Sequence, residues 1–388
     1  MFEKNIERKN TNSAKWEEAI IETKTNNPIV LTVADMDFAT APNIIKTIVQ
    51  TAQYGIFGYT NLSSSYKSIV KTWMQKNYNW NIEKKWVVFC PRIIQAISLI
   101  IQNSTNIGDS IMIQSPFYSP LKEAIVSNKR KVIINTLKYK QNSYEMDFNE
   151  LEKQFSKGVK IFILCSPHNP IGRVWDEEEL IKLADLCLKY DVLIISDEVH
   201  ADFTFSKKHI PLGKIHRVLN QTIICTSPAK TFNLPGLEIA NIIIPNHSLR
   251  EKFKLNLRQV GFHNPNYFAV PVLEEAYTNS DNWIKSLKEY LIQNYNFVSN
   301  YVMNYLPDFK VIPSEGTYLM WIDYRASNLN EEEIKRWFYK HADVAVSMGS
   351  TFGKDGEGFI RINIATPRSN LKKALNRIVA TRPYVKER

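Results

Sequence analysis

The sequence predicts a large α/β unit with helical crossovers, followed by a smaller α+β unit, and three observations carry this. A chain of 388 residues exceeds the size at which a single core usually stops growing. Between residues 85 and 245, short apolar runs rich in β-branched residues alternate with stretches of helical period. In the last hundred residues that alternation stops, and a long helical stretch precedes two isolated strand-like runs.

The expected strands of the large unit are 110–114, 131–134, 161–165, 192–196, 222–226 and 241–244, all apolar enough to be buried on both faces. One crossover helix can be argued residue by residue. Asp176 is its N-cap, Glu179 three positions on completes a capping box, and Leu180, Leu183, Ala184 and Cys187 form one apolar stripe. Beyond it, residues 283–305 read as a long helix, and 318–322 and 359–364 as strands. In the last of these, Ile360, Ile362 and Ile364 share one face while Arg361 and Asn363 share the other. The expected division is an N-terminal arm (1–45) packing with the small unit, a large α/β domain (46–280) and a small C-terminal domain (281–388).

Composition excludes several classes. With 44% hydrophobic and 12% aromatic residues the chain can bury a substantial core, so it is neither disordered nor of low complexity. The net charge of +10 is spread along the whole length, without a basic block or arginine-rich stripe, and reads as solvated surface that attracts anionic ligands rather than as a nucleic-acid footprint. The first nine residues carry charges where a signal peptide would be apolar, and no run approaches a membrane span, so the expected location is the cytoplasm. Cys90, Cys165, Cys187 and Cys225 lack metal-type spacing and are expected as core thiols.

Three polar runs carry the chemistry: Ser166-Pro167-His168-Asn169, Ser196-Asp197-Glu198-Val199-His200 and Ser227-Pro228-Ala229-Lys230. Each falls at the carboxyl end of an expected strand, where open α/β sheets bind ligands. Taken singly, a lysine before an apolar stretch is ordinary surface, and Asp-Glu after a strand is a metal-site or helix-cap motif. Together they supply an amine able to bond an aldehyde (Lys230), a carboxylate able to hold a protonated ring nitrogen (Asp197) and an amide for a phenolate oxygen (Asn169). These are the groups that pyridoxal 5'-phosphate requires of a protein.

On these residues the chain resembles fold-type I pyridoxal-phosphate enzymes of the class I/II aminotransferase superfamily, and within it the MalY/PatB-type cystathionine β-lyases. The resemblance runs from Ala34-Asp35-Met36-Asp37-Phe38 through Gly58-Tyr59-Thr60, Ser115-Pro116-Phe117-Tyr118, Asn169-Pro170-Ile171-Gly172-Arg173, Asp197-Glu198-Val199-His200 and Lys230-Thr231-Phe232-Asn233 to Arg361-Ile362-Asn363-Ile364. The Ala-Asp-Met-Asp-Phe segment and His200, where most aminotransferase relatives carry tyrosine, mark the lyase branch. The resemblance implies an aspartate aminotransferase-like large domain with a mostly parallel seven-stranded sheet. It implies that Lys230 is the catalytic base, that Tyr118 stacks on the cofactor ring, and that His200 flanks the cofactor. Ser227 and the backbone amides of Ile93 and Ile94 would bind its phosphate. Arg361 would clamp the substrate carboxylate, with Ala34 lining that end. Tyr59 would reach the phosphate of a neighbouring subunit, giving a homodimer with shared active sites.

Two positions depart from the family pattern. Arg92 stands where glycine is frequent, and Glu238 lies eight residues after Lys230, where many aminotransferases place a phosphate-binding arginine. A carboxylate there repels phosphate unless it turns away or pairs with a cation, and Arg92 is one candidate for that cation. The implied reaction is carbon–sulfur β-elimination from cystathionine or another cysteine S-conjugate, giving a thiol, pyruvate and ammonia. Transamination is the alternative, and a regulatory, partner-binding role is the alternative of another class. Phe57, Tyr118, Phe262 and Tyr267 stand equally as the lining of an apolar substrate pocket and as core or dimer interface.

Overall fold

The computed structural model describes residues 1–383. Its central sheet has seven strands: Val87–Cys90 (β1), Ser110–Ser115 (β2), Lys131–Thr136 (β3), Val159–Cys165 (β4), Leu193–Asp197 (β5), Thr222–Thr226 (β6) and Ala240–Ile243 (β7). The order across the sheet is β1-β7-β6-β5-β4-β2-β3. Strands β2 to β6 pair in parallel, and β7 alone runs against its neighbours β1 and β6. The expected α/β sheet is therefore present. It also includes β1, which was not among the expected strands.

Side chains alternate across the sheet, and both faces are covered. Ile161, Ile163 and Ile195 enter one core, while Phe162, Leu164 and Ile194 enter another on the opposite side. This double burial is why the strands read as continuous apolar runs. The crossover helix Glu177–Lys189 starts as expected, with Asp176 and Glu179 forming both bonds of a capping box. Its stripe of Leu180, Leu183, Ala184 and Cys187 is buried, each leucine contributing about 2 kcal/mol of apolar transfer. All four cysteines are buried and unpaired with one another.

Residues 310–363 build a second, antiparallel sheet in the order Lys310–Val311, Leu319–Asp323, Phe359–Asn363, Ser347–Met348. The helix Asp281–Tyr305 flanks it. Near the N-terminus, Ile29–Val30 pairs in parallel with Val344–Ala345, which ties the first residues to the last hundred.

The loop after β4 meets the second sheet at Gly172. Its φ is +71°, and its carbonyl accepts from the backbone N–H groups of Glu315 and Gly316 at 2.9 Å each. A Cβ here would overlap Ser314 Oγ and lie 3.0 Å from the Gly316 carbonyl oxygen. Gly172→Ala is expected to destabilise the protein by about 2 kcal/mol, through both the left-handed backbone and the clash. Chemical denaturation checks this, and a change below about 0.5 kcal/mol would show that the loop re-forms without strain.

Candidate active site

Strands β4, β5 and β6 are parallel, and β1, antiparallel to β7 in turn, points the same way. Their carboxyl ends therefore reach one edge of the sheet. There β4 leads into Asn169, β5 ends on Asp197, β6 leads into Ser227 and Lys230, and β1 leads into the helix Ile93–Ser104. A cavity of about 1290 Å³ opens at this edge, walled by Ala34, Ile93, Ile94, Tyr118, Asp197, Ser227 and Lys230.

Lys230 sits in the short helix Pro228–Thr231, whose first turn is capped by Ser227 Oγ accepting from the Ala229 N–H at 3.0 Å. Its Nζ donates to the Ala34 carbonyl oxygen at 2.6 Å, and the Tyr318 hydroxyl donates to the same oxygen at 3.0 Å. Burial pushes the amine down to about 8, with Arg361 adding to the effect and Asp35 and Asp197 opposing it. Asp197 shows the converse. Burial raises its carboxyl to about 6 against the Val199 N–H and Lys230, while Glu198 pushes the same way as burial. His200 is also buried, its Nδ1 unpartnered, and desolvation together with Lys230 and Arg361 holds the ring well below its ordinary pKa and hence neutral.

Arg361 and Asn169 are brought together from the two sheets. Arg361 Nη1 donates to Asn169 Oδ1 at 3.0 Å, Nη2 donates to Ser347 Oγ at 3.2 Å, and Nε is buried with no partner among the described residues. The guanidinium lies over the Phe352 ring, 4.6 Å from its centroid. With Oδ1 occupied by Arg361, the amide nitrogen of Asn169 is its free donor. Burial lowers Arg361 to about 10, which still leaves it cationic.

The segment 33–38 is held over Lys230 by residues to which sequence reasoning assigned no such role. Asn363 Nδ2 donates to the carbonyls of Val33 and Asp35 at 2.8 and 2.6 Å. Asn233, quoted only as part of a motif, accepts from Met36 N–H and donates to the Met36 and Phe38 carbonyls. Arg8 pairs with Asp35 at 2.9 Å, and buried Lys15 pairs with Asp37 at 2.9 Å. Burial works against the Asp35 carboxylate, yet Arg8 and Lys15 hold it below its usual range. An isolated Arg8 or Lys15 in a charged N-terminus carries no local signal of this. Tyr318 likewise reads as one more apolar strand residue.

Other expectations fall differently. Tyr59 is 99% exposed and does not line the cavity within this chain. Of the four aromatic candidates only Tyr118 lines it: Phe262 stacks on Phe89 at 5.8 Å, and Phe57 packs edge-on against Tyr267 at 5.5 Å on the surface. Ser227 Oγ donates to the Ile239 carbonyl at 2.5 Å, so a hydrogen bond from it to phosphate requires the hydroxyl to leave that carbonyl. Among the described residues no side chain caps the helix Ile93–Ser104, leaving the first-turn amides open to the cavity edge. Arg92, just before that helix, pairs with Glu238, Nε lying 2.9 Å from Oε1.

The donor set fits pyridoxal phosphate. Open helix amides suit its phosphate, a buried carboxylate with a raised pKa suits its ring nitrogen, a buried amine suits its aldehyde, and the free Asn169 amide suits its phenolate oxygen.

Residues 26–378 match the family described as aminotransferase class I and II. The cystathionine beta-lyase PatB of Bacillus subtilis (strain 168) is 35% identical over 382 residues, covering 98% of this chain and 99% of that one. A PLP-bound putative aminotransferase from Clostridium difficile 630 superposes with a TM-score of 0.95 at 39% identity, covering 98% and 99% of the two chains. A PLP-bound C-S lyase from Staphylococcus hominis superposes with a TM-score of 0.92 at 32% identity, covering 98% and 97%.

Proposed function

The chain belongs to the class I and II aminotransferase family, and from that premise we propose that it is a pyridoxal-phosphate-dependent carbon–sulfur β-lyase acting on cystathionine or another cysteine S-conjugate. The observation that carries the reading is the bond from Lys230 Nζ to the Ala34 carbonyl, which makes the lyase-branch segment a wall of the site. Similarity to PatB over 98% of the chain supports the same choice.

When bound, pyridoxal phosphate supplies an aldehyde carbon that holds the substrate amine and a protonated ring that takes up the electron pair left at Cα. Lys230, released from Ala34, takes the Cα proton on Nζ; its lowered pKa keeps part of the amine neutral near pH 7. Asp197 holds the proton on the ring nitrogen, an ion pair made strong by its burial. Asn169 donates to the phenolate oxygen through its amide nitrogen while its Oδ1 orients Arg361. Arg361 clamps the substrate carboxylate with the N–H groups that no protein acceptor uses, beside Ala34. Tyr118, on the cavity wall, would stack on the ring, and buried, neutral His200 would flank it. The first-turn amides at Ile93 and Ile94 would hold the phosphate, joined by Ser227 once its hydroxyl leaves the Ile239 carbonyl. The sulfur leaves from Cβ as a thiolate, and one water is consumed as pyruvate and ammonia form.

A second copy of the chain completes the site in this reading, contributing Tyr59. Tyr54, Ile56, Phe57 and Tyr59 are all strongly exposed in one short stretch, an apolar surface of the kind a partner covers. The substrate is a small amino acid. Among the described residues no helix is long and apolar enough to cross a membrane.

The test is release of pyruvate and free thiol by the cofactor-loaded protein given cystathionine or an S-alkyl cysteine, with no oxo acid present. Sustained, equimolar release of both is expected. A single stoichiometric half-reaction that turns over only with an added oxo acid would replace the lyase by an aminotransferase, the activity by which the Clostridium difficile neighbour is described.

A further inference from the structure

The geometry points to a charge switch at the phosphate end of the site: Glu238 holds Arg92 in an ion pair that the cofactor phosphate must take over, so the pair sets how tightly the cofactor is retained. This rests on the cofactor reading above.

Arg92 is the N-cap residue of the helix Ile93–Ser104, immediately before the open amides, and its own backbone is extended. Glu238 follows the turn Pro235–Leu237 in a left-handed conformation, φ +52°. It directly precedes Ile239, whose carbonyl accepts the Ser227 hydroxyl. Both side chains border the cavity. Arg92 gives Nε and Nη2 to one oxygen, Oε1 of Glu238, and these are its only side-chain hydrogen bonds among the described residues. The pair is open to solvent, the two side chains being 66% and 40% exposed.

An exposed guanidinium–carboxylate pair is weak, because water competes for both ions and two side chains must be held in place. A phosphate seated on the helix amides offers Arg92 more negative charge and more acceptor oxygens. Arg92 therefore exchanges Glu238 for phosphate when cofactor enters. The released carboxylate then stands beside the phosphate and opposes it. Arg92 and Glu238 act as opposed tuning residues, and their balance makes the cofactor more exchangeable than amides and Arg92 alone would.

The experiment titrates the cofactor-stripped full-length protein with pyridoxal phosphate and, separately, with unphosphorylated pyridoxal, following the absorbance of the lysine-bound chromophore. Wild type is compared with Glu238→Gln, Arg92→Gln and the double variant. Expected are a three- to tenfold tighter dissociation constant for Glu238→Gln, roughly as large a weakening for Arg92→Gln, and an intermediate value for the double variant. High salt shrinks all three differences, and pyridoxal, lacking the phosphate, shows none. Unchanged or weaker binding by Glu238→Gln, or the same shift with pyridoxal, overturns the switch. Absence of a lysine-bound chromophore in the wild type overturns both the cofactor reading and the switch. Both residues lie at the surface, melting of the stripped variants checks folding, and Glu238→Ala repeats the test should the glutamine variant be unstable.

Discussion

Lys230→Ala is expected to lower pyruvate release by about 10⁴-fold or more, because one substitution removes both the amine that bonds the cofactor and the base that takes the Cα proton. The fold should survive. Among the described residues Lys230 Nζ makes one hydrogen bond, to Ala34, and that carbonyl keeps the Tyr318 hydroxyl as a donor. Its amine is also disfavoured by burial, so truncation relieves a desolvation cost as well as losing a contact. The measurement is steady-state pyruvate release alongside the absorbance spectrum. The variant should still bind pyridoxal phosphate reversibly but without the lysine-bound chromophore. Turnover within tenfold of wild type would remove Lys230 from the chemistry. A protein acting only through a macromolecular partner would keep that partner in the variant, which separates it from an enzyme.

Asp197→Asn is expected to have two effects of opposite direction. With cofactor, the amide cannot hold a proton on the ring nitrogen, and turnover falls by about 10²-fold or more. Without cofactor, the variant gains stability relative to wild type. In the folded chain Asp197 titrates near 6, its pKa raised by burial, against about 3.9 when unfolded. The unfolded chain therefore gives up this proton first. Wild-type stability from this group is fully present below about pH 4, is lost as pH rises through about 6, and stays lower above that by about 2–3 kcal/mol. The amide of the variant has no such titration. The stability difference between stripped variant and stripped wild type should thus move in favour of the variant by that amount between pH 4 and 7. Saturating cofactor should reverse it, since a ring cation returns the ion pair to the wild type alone. Parallel pH profiles for the two stripped proteins would mean that Asp197 is not desolvated in the way its burial indicates.

Much of this was legible because it is local. The helix Glu177–Lys189 is announced by Asp176, Glu179 and a stripe of period 3.6, all within one short segment. Asn169, Asp197 and Lys230 stood out because each lies at the end of an apolar run or within four residues of it, and a strand end is a position that the sequence marks. The expected strands lie within one or two residues of the observed ones. Strand β1 was not among those expected, nor were two- and three-residue strands such as Ile29–Val30 and Lys138–Lys140, which hold too few residues for a period to be read.

What the sequence alone determined is the α/β class, the strand-end motifs and the residue types at the site, since these depend on neighbours a few positions apart. Tertiary structure alone decided which distant groups meet: the antiparallel sense of β7, the hold of Asn363 on segment 33–38, and the meeting of Asn169 with Arg361. Lys230 and Ala34 are 196 positions apart, and Arg92 and Glu238 are 146. The sequence named both departures, at 92 and 238, and offered Arg92 as one candidate partner for Glu238, but could not decide between pairing and turning away. Contacts at such separations follow from how the sheet and its crossovers pack, and that packing leaves no periodic trace at either residue.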